Sequence, residues 1–152
     1  MAAPVLSTVP QEECPVTIPN GAPLSSAPAP GRHGSAELWV GLSYEGRIVA
    51  GPELIDSDGS IGVKFPWWRG VAGQLTITGR RLDGPAPPLR ADIPPGYGDI
   101  DVQASRIIFP TEGCWEVTGR VAGASLTFVV SVVKQTVTAA RRGSGSLGRY
   151  AI

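Results

Sequence analysis

The chain has 152 residues, enough for one domain with a sizeable core. Its 13 basic and 13 acidic residues cancel, which argues against a polyanion-binding surface and hence against a nucleic-acid partner. With 20 glycines and 15 prolines it approaches a disordered composition, yet 42% of residues are hydrophobic, so the two signals must occupy different stretches.

Residues 1–13 show no hydrophobic periodicity and read as a flexible leader. Met1 to Pro4 has neither the basic nor the apolar region of a signal peptide, so an export signal or lipid anchor is expected upstream of residue 1. No apolar run reaches the roughly 20 residues that span a membrane. Cys14 to Gly21 is a short extended piece whose prolines bar it from the middle of a sheet. Residues 22–34 are rich in Pro, Ala, Ser and Gly, the composition of a surface loop or a linker. Residues 1–35 are therefore expected to be a flexible segment tethered through Cys14, and residues 36–138 the folded domain.

Leu38 to Leu42 reads as a strand, Glu45-Gly46 as a turn, and Arg47 to Ala50 as the hairpin partner. Asp56 to Ser60 is a polar turn. Ile61 to Phe65 is a further strand, closed by Pro66-Trp67-Trp68-Arg69-Gly70. Between Gln74 and Arg80, Leu75 and Ile77 fall on one face and Thr76 and Thr78 on the other. Residues 83–99 form a proline-rich connection, of a length that in a compact domain is functional or disordered. Asp101 to Gln103 reads as an edge strand, and Ile107 to Phe109 as a short strand ended by Pro110. Cys114, Glu116, Thr118 and Arg120 then alternate with Trp115, Val117, Gly119 and Val121, and Leu126, Phe128, Val130 and Val132 line the strand after the next turn. About seven short strands and no helical pattern favour an all-β, two-sheet antiparallel sandwich over an α/β fold. Residues 139–152 read as a frayed, disordered tail.

Cys14 and Cys114 are the only cysteines and lie too far apart for a Cys-x-x-Cys metal or redox motif. A single long-range disulfide is the better reading. It would clip the N-terminal segment onto the penultimate strand, contribute roughly 4 to 5 kcal/mol in the chain-entropy model, and require an oxidising compartment.

Patterns for catalysis are sparse. Gly143 to Gly148 matches a dinucleotide fingerprint in letters only, because four residues follow it and no helix can. Asp56-Ser57-Asp58-Gly59 resembles the start of an EF-hand loop, but the glycine comes early and the closing glutamate is missing. A turn is the ordinary reading, and a looser calcium site on Asp56 and Asp58 the alternative. His33, the sole histidine, falls in the loop stretch and has neither a Gly-x-Ser-x-Gly partner nor a cysteine cluster, so it reads as a solvated loop residue. Arg80, Arg81 and Asp83 suggest a structural ion pair. No catalytic residue, metal or cofactor is assigned. Carboxylates such as Glu112 and Glu116 keep a small hydrolase as a further alternative.

Trp67-Trp68-Arg69 carries the most information. Neighbours on a strand point to opposite faces, so one tryptophan enters the core while the other meets solvent or a loop. An exposed tryptophan beside Arg69 would suit stacking on a sugar ring or a partner side chain. In the competing reading both pack, one in the core and one beneath the proline-rich loop. Tyr97, held between Gly96 and Gly98, is expected at the same end of the sandwich, where Trp67, Trp68, Arg69 and Tyr97 would form a shelf for a carbohydrate or protein partner.

The run Phe109-Pro-Thr-Glu-Gly-Cys114-Trp-Glu-Val-Thr-Gly119 and the strand after it resemble the last two strands of immunoglobulin-like sandwich domains. Together with Lys64-Phe-Pro-Trp-Trp-Arg-Gly-Val71, Leu75 to Gly84 and Gly96-Tyr-Gly98, the chain looks like secreted or lipid-anchored bacterial proteins of immunoglobulin-like fold, over roughly residues 36–133. The resemblance implies a secreted or cell-envelope location and no particular activity. The expected function is a non-catalytic module with a structural or interaction role at the cell surface. A carbohydrate- or ligand-binding module using the aromatic shelf is the alternative.

Overall fold

Short alternating runs punctuated by Gly, Pro and Asp build a protein of β-strands. The computed structural model describes residues 14–22, 31–42 and 46–136. Its strands are β1 (Arg32–Gly34), β2 (Leu38–Gly41), β3 (Arg47–Ala50), β4 (Ile61–Lys64), β5 (Trp67–Arg69), β6 (Leu75–Arg81), β7 (Arg90–Asp92), β8 (Asp101–Gln103), β9 (Arg106–Phe109), β10 (Gly113–Val121) and β11 (Ala124–Lys134). The only helical piece among the described residues is a single 3-10 turn at Pro52–Leu54. No helix there is long and apolar enough to cross a membrane. The fold is all-β. The tail from residue 139 lies outside the described residues, as do the leader 1–13 and the Gly143–Gly148 run.

The strands form three ladders, ordered β1-β2-β5-β8, β3-β11-β10-β6 and β4-β9-β7. The first and third run on into each other. Val63 of β4 faces Ile107 of β9, and Trp67 of β5 faces Gln103 of β8, so both pairs share one antiparallel register. What separates them is Pro66, which has no N–H to donate. Phe65 N–H still reaches Ser105 O at 3.1 Å across the break. The opposing layer centres on β10 and β11, which pair along nine residues each.

The core lies between these layers. Alternation sends Phe65 and Trp67 inward from one and Trp115, Val117, Phe128 and Val130 inward from the other, all essentially without exposure. Phe128 meets Phe65 at 5.8 Å and Trp67 at 5.9 Å between ring centroids, so one aromatic cluster joins the layers. Gly119 sits where any Cβ would strike the Trp67 ring.

Three sequence expectations need correction. β2 and β3 are not a hairpin: β2 pairs with β1 and β5, whereas β3 lies parallel to β11 from Ser131 to Lys134. β2 and β3 therefore belong to different layers, and Val40 and Ile48 bury against the core from opposite sides. That parallel pair also means the pairing is not wholly antiparallel. Finally, the proline-rich connection is not structureless, because β7, which lies within it, pairs with β9.

Residues 14–22 are built into the sandwich as a clasp. Cys14 is bonded to Cys114 on β10, with their Cα atoms 5.5 Å apart. Thr17 exchanges hydrogen bonds with Val129 of β11 at 3.0 and 2.8 Å. Asn20 then bonds both the N–H and the carbonyl of Gly34 on β1, and Gly21 N–H donates to Arg32 O. The clasp thus runs from one layer to the other.

Candidate functional site

β5 determines where the sequence-derived candidates point. Trp67 and Arg69, two residues apart, share the inward face, and Trp68 takes the outward one. Trp67 is buried and donates its indole N–H to Ser105 Oγ, which itself donates to Phe65 O. Arg69 is 1% exposed. Neither is available for a surface shelf, so that part of the expectation is corrected.

Arg69 is a buried cation with no ion-pair partner among the described residues. Its Nε donates to Asp101 O, Nη1 to Gly73 O and Gly98 O, and Nη2 to Tyr97 O, Ile100 O and Val102 O, all between 2.9 and 3.2 Å. Carbonyl dipoles replace the water that burial removed. The backbone from Tyr97 to Val102 curls round the guanidinium to bring those oxygens together. Positive φ at Gly96 (99°), Gly98 (68°) and even Asp101 (66°) makes the curl.

Trp68 is half-buried on the outer face. Its ring lies against Trp39 at 4.0 Å with an interplanar angle of 6°, and Arg32 sits 4.5 Å above the Trp39 ring. Trp39 therefore covers one face of the Trp68 ring, and Arg32 lies against both indoles, 4.5 and 5.8 Å from their centroids.

Tyr97 is different. Its carbonyl is locked by Arg69, but the residue is 40% exposed, and its hydroxyl has no hydrogen-bond partner among the described residues. Tyr97 lines two recesses. One, of about 500 Å³, is bordered by Gln74, Pro95 and Asp99. The other, of about 530 Å³, is lined by Lys64, Asp92, Ile93, Pro94, Tyr97 and Arg106. That volume falls within the range of about 300 to 1,000 Å³ usual for small-ligand sites.

The polar wall of the larger recess is one cross-strand row. Lys64 of β4 opposes Arg106 of β9, which opposes Asp92 of β7. Arg106 lies over Gly62, where a Cβ would collide with its guanidinium, and reaches both carboxylate oxygens of Asp56 at 2.8 and 3.0 Å. Sequence reasoning missed Lys64, Arg106, Ile93 and Pro94, because only the strand register brings them to Tyr97.

The remaining sequence candidates have local duties. Asp56 holds Arg106, and Asp58 accepts from Ser60 Oγ at 2.6 Å, which keeps its pKa below the ordinary carboxylate value. Glu116 pairs with Arg80, and Glu112 accepts the Lys134 N–H. Asp83 holds Arg81 at 2.8 Å and the Cys114 N–H at 3.0 Å. Burial raises the Asp83 pKa, but those two donors outweigh it and hold it below the ordinary value. His33 is not a loop residue: it lies on β1 with a buried Nδ1 that has no partner among the described residues, and burial depresses its pKa. Among the described residues, no three His, Cys, Asp or Glu side chains gather as a metal site would need. No protein-family model matches the sequence, and no curated protein matches it either.

Proposed function

We propose that the protein is a non-catalytic binding module of the bacterial cell envelope, an immunoglobulin-like sandwich that takes its ligand in the groove beside Tyr97. The strand orders support the fold reading. Taking β4-β5 and β8-β9 each as one interrupted strand, β2, β4-β5, β8-β9 and β7 follow the A-B-E-D order of such domains. β11, β10 and β6 follow G-F-C, with β3 added parallel to β11. The Cys14–Cys114 bond needs oxidising conditions to form and persist, which supports a location outside the cytoplasm.

The observation that carries the binding reading is the division of labour at Tyr97. Its main chain is fixed by a buried arginine, while the residue is 40% exposed, lines a recess and has no hydroxyl hydrogen bond among the described residues. A preorganised aromatic costs little entropy when a ligand settles on it. An array of cell-envelope oligosaccharides and extended peptides, probed with wild type and Tyr97→Ala, tests this. The expected outcome is a ligand lost by Tyr97→Ala at unchanged melting temperature. A melting temperature lowered by several degrees with binding intact would mean that Tyr97 only packs.

A further inference from the structure

Building on that reading of the groove, we infer that its ligand is an acidic saccharide, a sugar ring carrying a carboxylate or a phosphate. Lys64 and Arg106 stand directly opposite each other on adjacent antiparallel strands. Like charges so placed destabilise a ladder unless anions lie close by. Arg106 has them: Asp56 is bound through Nη2, and Asp92 lies 3.9 Å from Nη1. Lys64 has none, since no described carboxylate comes within 4.0 Å of its ammonium.

That spare cation is exposed at the wall of a recess that also presents Ile93, Pro94 and the Tyr97 ring. The parts match a sugar acid. The aromatic face takes the C–H side of a pyranose, the prolyl and isoleucyl surface excludes water, and the ammonium meets the acid group. An anion there would give Lys64 the counter-charge that Arg106 already has in Asp56 and Asp92. A neutral sugar would satisfy the ring but leave Lys64 as it is. An extended acidic peptide would satisfy Lys64 but make no use of the ring.

Calorimetric titration of the full chain with trigalacturonic acid, mannose 6-phosphate, galactotriose and a penta-aspartate peptide separates these cases. At least one of the two acidic sugars should bind about ten-fold more tightly than galactotriose, weakening as salt is added. Whether the uronate or the phosphate is tighter identifies the source of the charge. Lys64→Gln should erase the preference without moving the melting temperature, and Lys64→Arg should keep it. Equal binding of galactotriose, equal binding of the peptide, or a Lys64→Gln variant that behaves as wild type would each overturn the acidic-saccharide assignment. So would failure of all four probes. None of those outcomes touches the groove itself, which is overturned separately if Tyr97→Ala leaves every bound ligand unaffected.

Discussion

A buried charge without a counter-charge is held only while its hydrogen bonds are complete. Arg69 meets that condition with six carbonyls, most of them from the segment that presents Tyr97. Arg69→Met should cost about 3 to 5 kcal/mol in urea unfolding, because it strands those carbonyls together. Arg69→Lys should recover only part, since an ammonium cannot reproduce the planar fork. An Arg69→Met variant as stable as wild type would show the cage to be dispensable. The sequence did contain the sign of this residue's burial. A strand that sends Trp67 inward must send Arg69 inward too, two positions on, and the chemistry of an exposed arginine beside a tryptophan obscured that parity. His33 was misplaced for a different reason: its Pro/Ala/Ser/Gly surroundings hid a strand as short as β1. Its depressed pKa makes a pH prediction. The unfolded chain takes up the proton near 6.5 and the folded chain only at lower pH. Stability is therefore full above 6.5 and declines as pH falls through that value, until folded His33 also titrates. Urea midpoints at about pH 7.5 and pH 5 should differ in that sense, and less so in His33→Gln. A wild-type midpoint that rises on acidification would contradict it.

At the scale of elements, alternation identified β6, β10 and β11 well because one face of each is apolar over most of its length. Pairing was harder. Hairpin logic joined β2 to β3 because they are close in sequence with a turn between them, yet each completes a different layer. The clasp was half legible. Two distant cysteines pointed to the bond, but Thr17 and Asn20 carry no signal that they stitch β11 to β1. Because the bond closes a span of 100 residues, reducing it should lower stability by about 2 to 5 kcal/mol. Denaturant midpoints with and without reductant measure this, and identical midpoints would mean that the clasp's hydrogen bonds suffice alone. Thiol labelling of the native oxidised protein should find no free cysteine.

For the whole molecule, the all-β architecture could be read from turn spacing, whereas the groove could not. Lys64, Arg106 and Asp92 come from strands far apart in sequence, and the row exists only in the final register. What the sequence did offer was Tyr97 between two glycines, because a tyrosine in a constrained, proline-rich loop needs a reason to be held out. The fold supplies that reason in layers: the aromatic core fixes β5, β5 fixes Arg69, and Arg69 fixes the curl that carries Tyr97. On the proposed reading, ligand binds where this chain of support ends. Amide chemical-shift mapping on the isotope-labelled protein, titrated with trigalacturonic acid, tests it most directly. Saturable shifts are expected only at Lys64, residues 91–98 and residues 104–106, and none in Tyr97→Ala. Saturable shifts centred on the outer threonines of β6 and β10, or on the Trp39–Trp68 pair, would contradict it.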